Sequence, residues 1–192
     1  MKVSGNAIVL TNGKFDTKSA KTAHGLIRGS KRFIIKSVID DKFHTKYVHS
    51  NKHGNVFMSS TESDIPVFKN VESFLEAGID VDYCIIGVAS AGGILPKEMR
   101  NDVILALNNN ISIVNGLHSI LNYDSQLKKI AEDNNVKIYD VRVSKSRNQL
   151  DFWSGKIYDV KSPKIVVLGT DCGLGKRTTA KLVVEALEKH DI

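Results

Sequence analysis

A lysine that closes a glycine-rich turn after a short apolar run is built to hold phosphate, and Lys164-Ile-Val-Val-Leu-Gly-Thr-Asp-Cys-Gly-Leu-Gly-Lys-Arg-Thr-Thr-Ala180 has that build. Ile165 to Leu168 reads as a buried strand, and between Ala180 and Lys189 the residues Leu182, Val183, Ala186 and Leu187 recur at helical spacing. A strand, a glycine loop and a helix in that order turn backbone N–H groups toward a phosphate at the positive end of the helix. Gly169, Thr170, Asp171, Gly173, Gly175, Lys176, Thr178 and Thr179 are therefore the candidate cofactor-binding residues, with Lys176 as the mobile charge for terminal phosphates. Two features depart from the usual pattern. Arg177 stands where Ser or Thr would ligate Mg²⁺, and Gly169 lies one residue early, which leaves Thr170 at the first-glycine position. The plainer reading is a strand-to-helix turn that uses glycine for geometry alone.

Outside this stretch, His118 is the candidate catalytic base, because it sits in a loop after an apolar strand, where side chains are presented to ligands. Capping of the next helix is the competing role. Arg28 and Arg142 are candidate substrate-binding residues, since a guanidinium fork matches a carboxylate. Lys21 and His24 follow the first strand and rank lower. His44, His49 and His53 invite a metal reading, but the segment from Asp41 to Ser63 lacks helical periodicity and is expected to be a mobile surface loop, so no metal site is assigned. Asp40 ends a strand where dinucleotide folds keep an acid for ribose. The preceding loop has no G-x-G-x-x-G, so Asp40 is expected to be a solvated strand-end acid.

Lys plus Arg number 27 against 21 for Asp plus Glu in 192 residues, and the resulting +6 is scattered, without aromatic-interleaved basic stripes. Anionic small molecules fit that balance as well as nucleic acid does, and no nucleic-acid partner is expected. A hydrophobic share of 42% supports a sizeable core. Cys84 and Cys172 fall in an expected strand and in the glycine loop, so neither suggests a disulfide, and a reducing cytoplasm is the plain inference. Met1 to Leu10 is too short in apolar residues for a signal peptide or a membrane span. No membrane partner is expected, and homo-oligomerisation stays open.

The elements that would position these residues alternate. Strands are expected over Asn6–Thr11, Phe33–Ile39, Pro66–Phe68, Tyr83–Val88, Ile111–Val114 and Val136–Val141. Helices are expected over Lys18–Arg28, Ser73–Ala77, Lys97–Leu107 and Asp124–Asp133, with Pro96 opening the third and Asn108 to Asn110 stopping it. Nearly all-apolar strands between helices imply an α/β fold with a parallel sheet covered on both faces. Ligands bind beyond the carboxyl ends of such strands, so the loops Gly87–Gly93 and Asn115–His118 should line one crevice. Residues 1–143 form the expected first domain. Residues 144–163 are the expected linker, whose Phe152, Trp153, Ile157 and Tyr158 should pack on a domain, and residues 164–192 open a second, P-loop-type domain with its first βα unit. On that reading the chain is a piece of a longer protein and inactive by itself.

Taken together, Lys21-Thr-Ala-His-Gly-Leu-Ile-Arg28, Ile86-Gly-Val-Ala-Ser-Ala-Gly-Gly-Ile-Leu-Pro96, Val114-Asn-Gly-Leu-His118, Tyr139-Asp-Val-Arg142 and Gly169-Thr-Asp-Cys-Gly-Leu-Gly-Lys-Arg-Thr-Thr179 carry a family signature over the whole chain. The sequence resembles the D-glutamate N-acetyltransferase-like family, whose members look like a Rossmann-like amino-terminal domain joined to a P-loop-type domain. The resemblance implies acetyl transfer from acetyl-CoA to the amine of a D-amino acid such as D-glutamate, and it makes Arg177 ordinary variation. The Gly169-Thr-Asp opening with Gly175-Lys176 also looks like the loop of dethiobiotin-synthetase-type enzymes, which implies ATP with Mg²⁺ and an NTP-dependent ligase or kinase. A nucleotide- or CoA-sensing module is the non-enzymatic alternative.

Overall fold

Ala7 to Leu10 is apolar on both faces, and all four residues are wholly inaccessible, as befits the central strand of a covered sheet. The computed structural model describes residues 3–51, 55–171 and 174–190. It divides into two compact units, Met1–Ser144 and Lys145–Ile192.

The first unit is built on eight strands: β1 (Gly5–Leu10), β2 (Phe33–Ile39), β3 (Tyr47–Ser50), β4 (Val56–Ser59), β5 (Ile65–Phe68), β6 (Tyr83–Ile86), β7 (Ser112–Asn115) and β8 (Ile138–Asp140). Their order across the sheet is β4-β3-β5-β2-β1-β6-β7-β8. From β5 to β8 every pairing is parallel, whereas β3 pairs antiparallel with both β4 and β5. Counting only the parallel strands along the chain, the order is the doubly wound 3-2-1-4-5-6.

Helices α1 (Lys21–Ile27), α2 (Val71–Glu76), α3 (Lys97–Asn108) and α4 (Ser125–Asp133) connect them. The β1-α1-β2 crossover steps one way along the sheet and the crossovers through α3 and α4 step the other. Right-handed connections therefore put α1 on one face and α3 and α4 on the opposite one. Met99, Val103, Ala106 and Leu107 of α3 and Leu127 and Ala131 of α4 are buried with Ile8, Leu10, Ile86 and Ile113 in the main core. Ile104 of α3 is only partly buried. The helix starts after Pro96, which serves as its N-cap. Asp102 of α3 reaches across to the start of α2, where its carboxylate accepts from Val71 N at 2.8 Å.

The segment from Asp41 to Ser63 contains the β3–β4 hairpin where a loop was expected. Val48 is buried beside Phe15, Ile27, Val38 and Val67, so tertiary packing recruits two four-residue runs too short to announce themselves by alternation. His53 lies outside the described residues. Asp40 is fully buried instead of solvated. Its carboxylate accepts from Thr11 Oγ1 at 2.6 Å, Lys42 N at 3.1 Å and Phe15 N at 3.2 Å, and so binds the loops after β1 and β2 together. The run Ile165–Leu168 forms no strand: no strand pairs with it among the described residues, and Ile165, Val166 and Leu168 are 68%, 72% and 83% exposed.

The second unit holds α5 (Lys176–Glu188) and two short 3-10 turns, Arg147–Gln149 and Lys156–Asp159. None of its described residues is buried. Phe152 and Trp153 are 97% and 74% exposed, so the expected packing of the linker aromatics is absent; Trp153 meets Tyr158 edge-on at 6.1 Å instead. Among the described residues no helix is long and apolar enough to cross a membrane.

Candidate functional site

The reversal of strand order between β1 and β6 is where doubly wound folds bind dinucleotides. In this chain that crevice is closed by protein. Ala23 N of α1 donates to Gly87 O at 3.0 Å, and Ala89 N donates to Ser19 O at 2.8 Å, which zips the loop after β6 onto the start of α1. A Cβ on Gly87 would overlap Val9 Cγ1 and stand 3.0 Å from Ala23 Cβ and Leu10 O, so glycine permits this close approach. His24 belongs to the same closure: its Nε2 donates to Phe15 O at 2.7 Å and its ring meets Phe15 edge-on at 4.8 Å. Burial, opposed by that hydrogen bond and reinforced by the Arg28 charge, holds the His24 pKa below the ordinary imidazole value. The loop after β1 thus uses its donors on the chain itself, and Asp40 is fully engaged. This geometry disfavours the dinucleotide reading.

The accessible chemistry lies further along the carboxyl edge, beyond β6, β7 and β8. Gly93 (φ +66°) brings the loop after β6 against the loop after β7: a Cβ there would stand 2.6 to 2.9 Å from His118 side-chain atoms, and Ser119 N donates to Gly93 O at 2.9 Å. The two loops expected to line one crevice are therefore in contact. Arg142, two residues past β8, donates from Nε to Gly116 O at 2.6 Å and holds Nη1 3.5 Å from His118 Nε2. A guanidinium only donates, so the contact is a hydrogen bond in the ring form that carries its proton on Nδ1 and presents Nε2 as the acceptor. Both side chains are exposed. A proton acceptor and a carboxylate-matching cation thus stand side by side.

Arg28 is elsewhere. It follows α1, close to the turn that returns the chain to the amino-terminal edge of the sheet, where Gly5 N bonds Arg32 O. The structure does not bring Arg28 to Arg142. Lys21 opens α1 and is exposed. His44 and His49 each engage a protein oxygen, Asp41 O at 2.8 Å and Asp64 Oδ1 at 2.7 Å, and no cluster of three metal-ligating side chains occurs among the described residues.

In the second unit, Gly175 (φ +86°) is the N-cap of α5 and Thr179 N bonds Gly175 O at 2.9 Å. Lys176 folds back over the loop, with Nζ donating to Asp171 O at 2.5 Å and its stem passing where a Cβ on Gly169 would stand 3.2 Å away. An ammonium held over its own loop by a carbonyl can be drawn to an incoming phosphate, so these residues fit a phosphate-bearing ligand. Thr170 and Thr178 flank the same turn. Gly173 and Cys172 lie outside the described residues.

Sequence reasoning missed Asn115 and Asp140, the residues that shape the His118 loop. Asn115 is wholly buried, and its Nδ2 donates to Ser119 O and to Asp140 Oδ1, both at 2.7 Å. Polar residues at the last positions of β7 and β8 were the available signal.

Comparison with known proteins gives a consistent picture. Residues 49–144 match the family described as Domain of unknown function (DUF1611_N) Rossmann-like domain, and residues 151–192 match Domain of unknown function (DUF1611_C) P-loop domain. A protein named D-glutamate N-acetyltransferase from Pseudoalteromonas sp is 30% identical over 108 residues, which is 56% of this chain and 31% of that protein. Another of the same name, from Tritonibacter scottomollicae, is 29% identical over 96 residues, 50% of this chain and 28% of that protein. The crystal structure of a DUF1611 family protein from Anabaena variabilis superposes with a TM-score of 0.80 at 26% identity, covering 97% of this chain and 51% of that one. The matched stretch thus spans under a third of the length of these curated relatives.

Proposed function

This chain belongs to the DUF1611 family, a Rossmann-like domain followed by a P-loop domain, and from that premise we propose that in its full-length form the protein transfers an acetyl group from acetyl-CoA to the amine of a D-amino acid such as D-glutamate. The observation that carries this reading is the pairing of His118 Nε2 with Arg142 at 3.5 Å on the carboxyl edge of the sheet, in a chain whose curated relatives bear the name D-glutamate N-acetyltransferase.

Arg142 recognises a substrate carboxylate. Binding draws the guanidinium from His118 and leaves Nε2 open to accept the proton of the substrate ammonium. Acetyl-CoA, a co-substrate, supplies the thioester. The amine nitrogen bonds to the acetyl carbonyl carbon and the C–S bond breaks; the proton taken up by His118 returns to the departing thiolate, and the second proton that the nitrogen gives up in becoming the amide passes to solvent. Lys176, Gly175 and the hydroxyls of Thr170, Thr178 and Thr179 hold phosphate groups of the co-substrate.

The test is thiol release by the full-length protein with acetyl-CoA and a panel of D- and L-amino acids. Arg142→Ala should raise KM for the acceptor, and His118→Ala should lower kcat with KM little changed. Absence of thiol release with every acceptor would overturn the reading. One observation favours a second reading: the Gly169-Thr-Asp opening and the placement of Lys176 also suit ATP with Mg²⁺ in a ligase or kinase. ATP-dependent turnover without acetyl-CoA would select it.

A further inference from the structure

We propose that Asn115 and Asp140 are positioning residues that fix the loop bearing His118 and thereby aim its ring at Arg142. The two side chains end adjacent parallel strands, where Asn115 and Asp140 are partners in the ladder and Val141 N donates to Asn115 O at 3.0 Å. From that point they make a dense set of bonds into one short segment. Asn115 Oδ1 accepts from Leu117 N at 3.0 Å while its Nδ2 holds Ser119 O, so the residues on both sides of His118 are pinned. Asp140 Oδ1 accepts from Asn115 Nδ2 and from Leu121 N at 3.0 Å. Its Oδ2 accepts from Asn122 N at 3.0 Å and Asn122 Nδ2 at 2.6 Å.

Such a network does more than satisfy polar groups. A buried carboxamide with every atom engaged cannot rotate without breaking several bonds together, so the backbone on both sides of His118 is tied to the ends of β7 and β8. Gly93 then closes the ring from the other side, since only a residue without Cβ leaves room for His118. Arg142, two residues beyond Asp140 on the same chain, shares the frame. The distance between the two reactive groups is therefore set by residues that touch neither ligand. The use made of His118 rests on the acetyl-transfer reading above; its orientation does not.

The test reads the ring directly. In the full-length protein with ¹⁵N-labelled histidine, and with the His118 signals assigned through His118→Gln, the wild type should show one tautomer with the proton on Nδ1. Asn115→Ala and Asp140→Asn should each move those signals to the averaged values of an unrestrained imidazole. Leu127→Ala, which opens the core under α4, should lower the melting temperature and leave the His118 signals in place. If Asn115→Ala fails to fold, Asp140→Asn, which preserves shape, decides the matter. Unchanged His118 signals in the folded variants overturn the proposal, whether or not the protein transfers acetyl groups. Where transfer is observed, the same variants should lose kcat by about tenfold or more with KM for the acceptor little altered, as expected of a misaimed base; a KM effect alone would also overturn it.

Discussion

Lys176 and His118 illustrate two ways in which one residue becomes available for chemistry. Among the described residues Lys176 is held by its own loop, through Asp171 O, so its present partner is a neutral carbonyl. Replacing it with Ala should weaken binding of acetyl-CoA or ATP about ten- to hundredfold, because a charge-assisted contact contributes about 1.5–3 kcal/mol. Stability should change by about half a kcal/mol or less, since the side chain takes no part in a core. Titration of both ligands on the full-length variant, alongside thermal melts, checks this; equal affinity for variant and wild type would return Gly175 to a turn residue. His118, by contrast, is held from three sides, by Gly93, Arg142 and the Asn115–Asp140 frame. Cys84 marks the opposite extreme: burial pushes its thiol pKa far up, so it behaves as a small apolar side chain of β6.

Among the elements, α4 shows what fixes a helix at this sheet. Asp124 is its N-cap, accepting from Gln126 N and Leu127 N, both at 3.1 Å. The same carboxylate receives Arg100 Nη1 at 2.6 Å and Nη2 at 3.1 Å, which ties α4 to α3. That guanidinium first, and the backbone donors after it, hold the Asp124 pKa below the ordinary carboxylate value. A depressed folded pKa contributes stability that is present above the unfolded value of about 4 and is lost as pH falls through the folded one. Asp124→Ala should therefore cost about 1 kcal/mol at neutral pH, the usual value of a lost cap, with Asp124→Asn costing less. The difference between wild type and Asp124→Ala should shrink steadily below about pH 4. Urea unfolding at neutral and acid pH measures both; a gap independent of pH would refute the ionic part. Helix α5 has apolar residues at helical spacing too, but none of its described residues is buried, and Leu182 remains 56% exposed.

At the scale of the whole molecule, the buried residues among those described all belong to the first unit. Residues 1–144 should accordingly fold by themselves, and limited proteolysis of the 192-residue chain should cut first within residues 145–163 and leave a resistant core ending near Ser144. Mass spectrometry of the digest identifies the ends. A resistant product that retains residues 164–190 would contradict the expectation.

Much of this was legible in order along the chain. Apolar runs such as Ala7–Leu10 and Tyr83–Ile86 declare buried parallel strands because both their faces must be dry, and the spacing of Met99, Val103 and Leu107 declares a covered helix face. The glycine loop with Lys176 has the residue types and spacing of a turn that aims backbone donors at a helix start. These features are local, so the sequence by itself determined them. Tertiary structure decided the rest. Val48 joins a strand only because Phe15 and Val38 wait to cover it, and Ile165–Leu168 stays out of one because pairing requires a neighbour. Asp40 is buried because three donors from two loops converge on it, and His118 acquires Arg142 as a neighbour only when β7 and β8 lie side by side. Contacts between residues 24 positions apart leave no periodic trace along the chain; the parallel ladder that brings them together is a property of the fold.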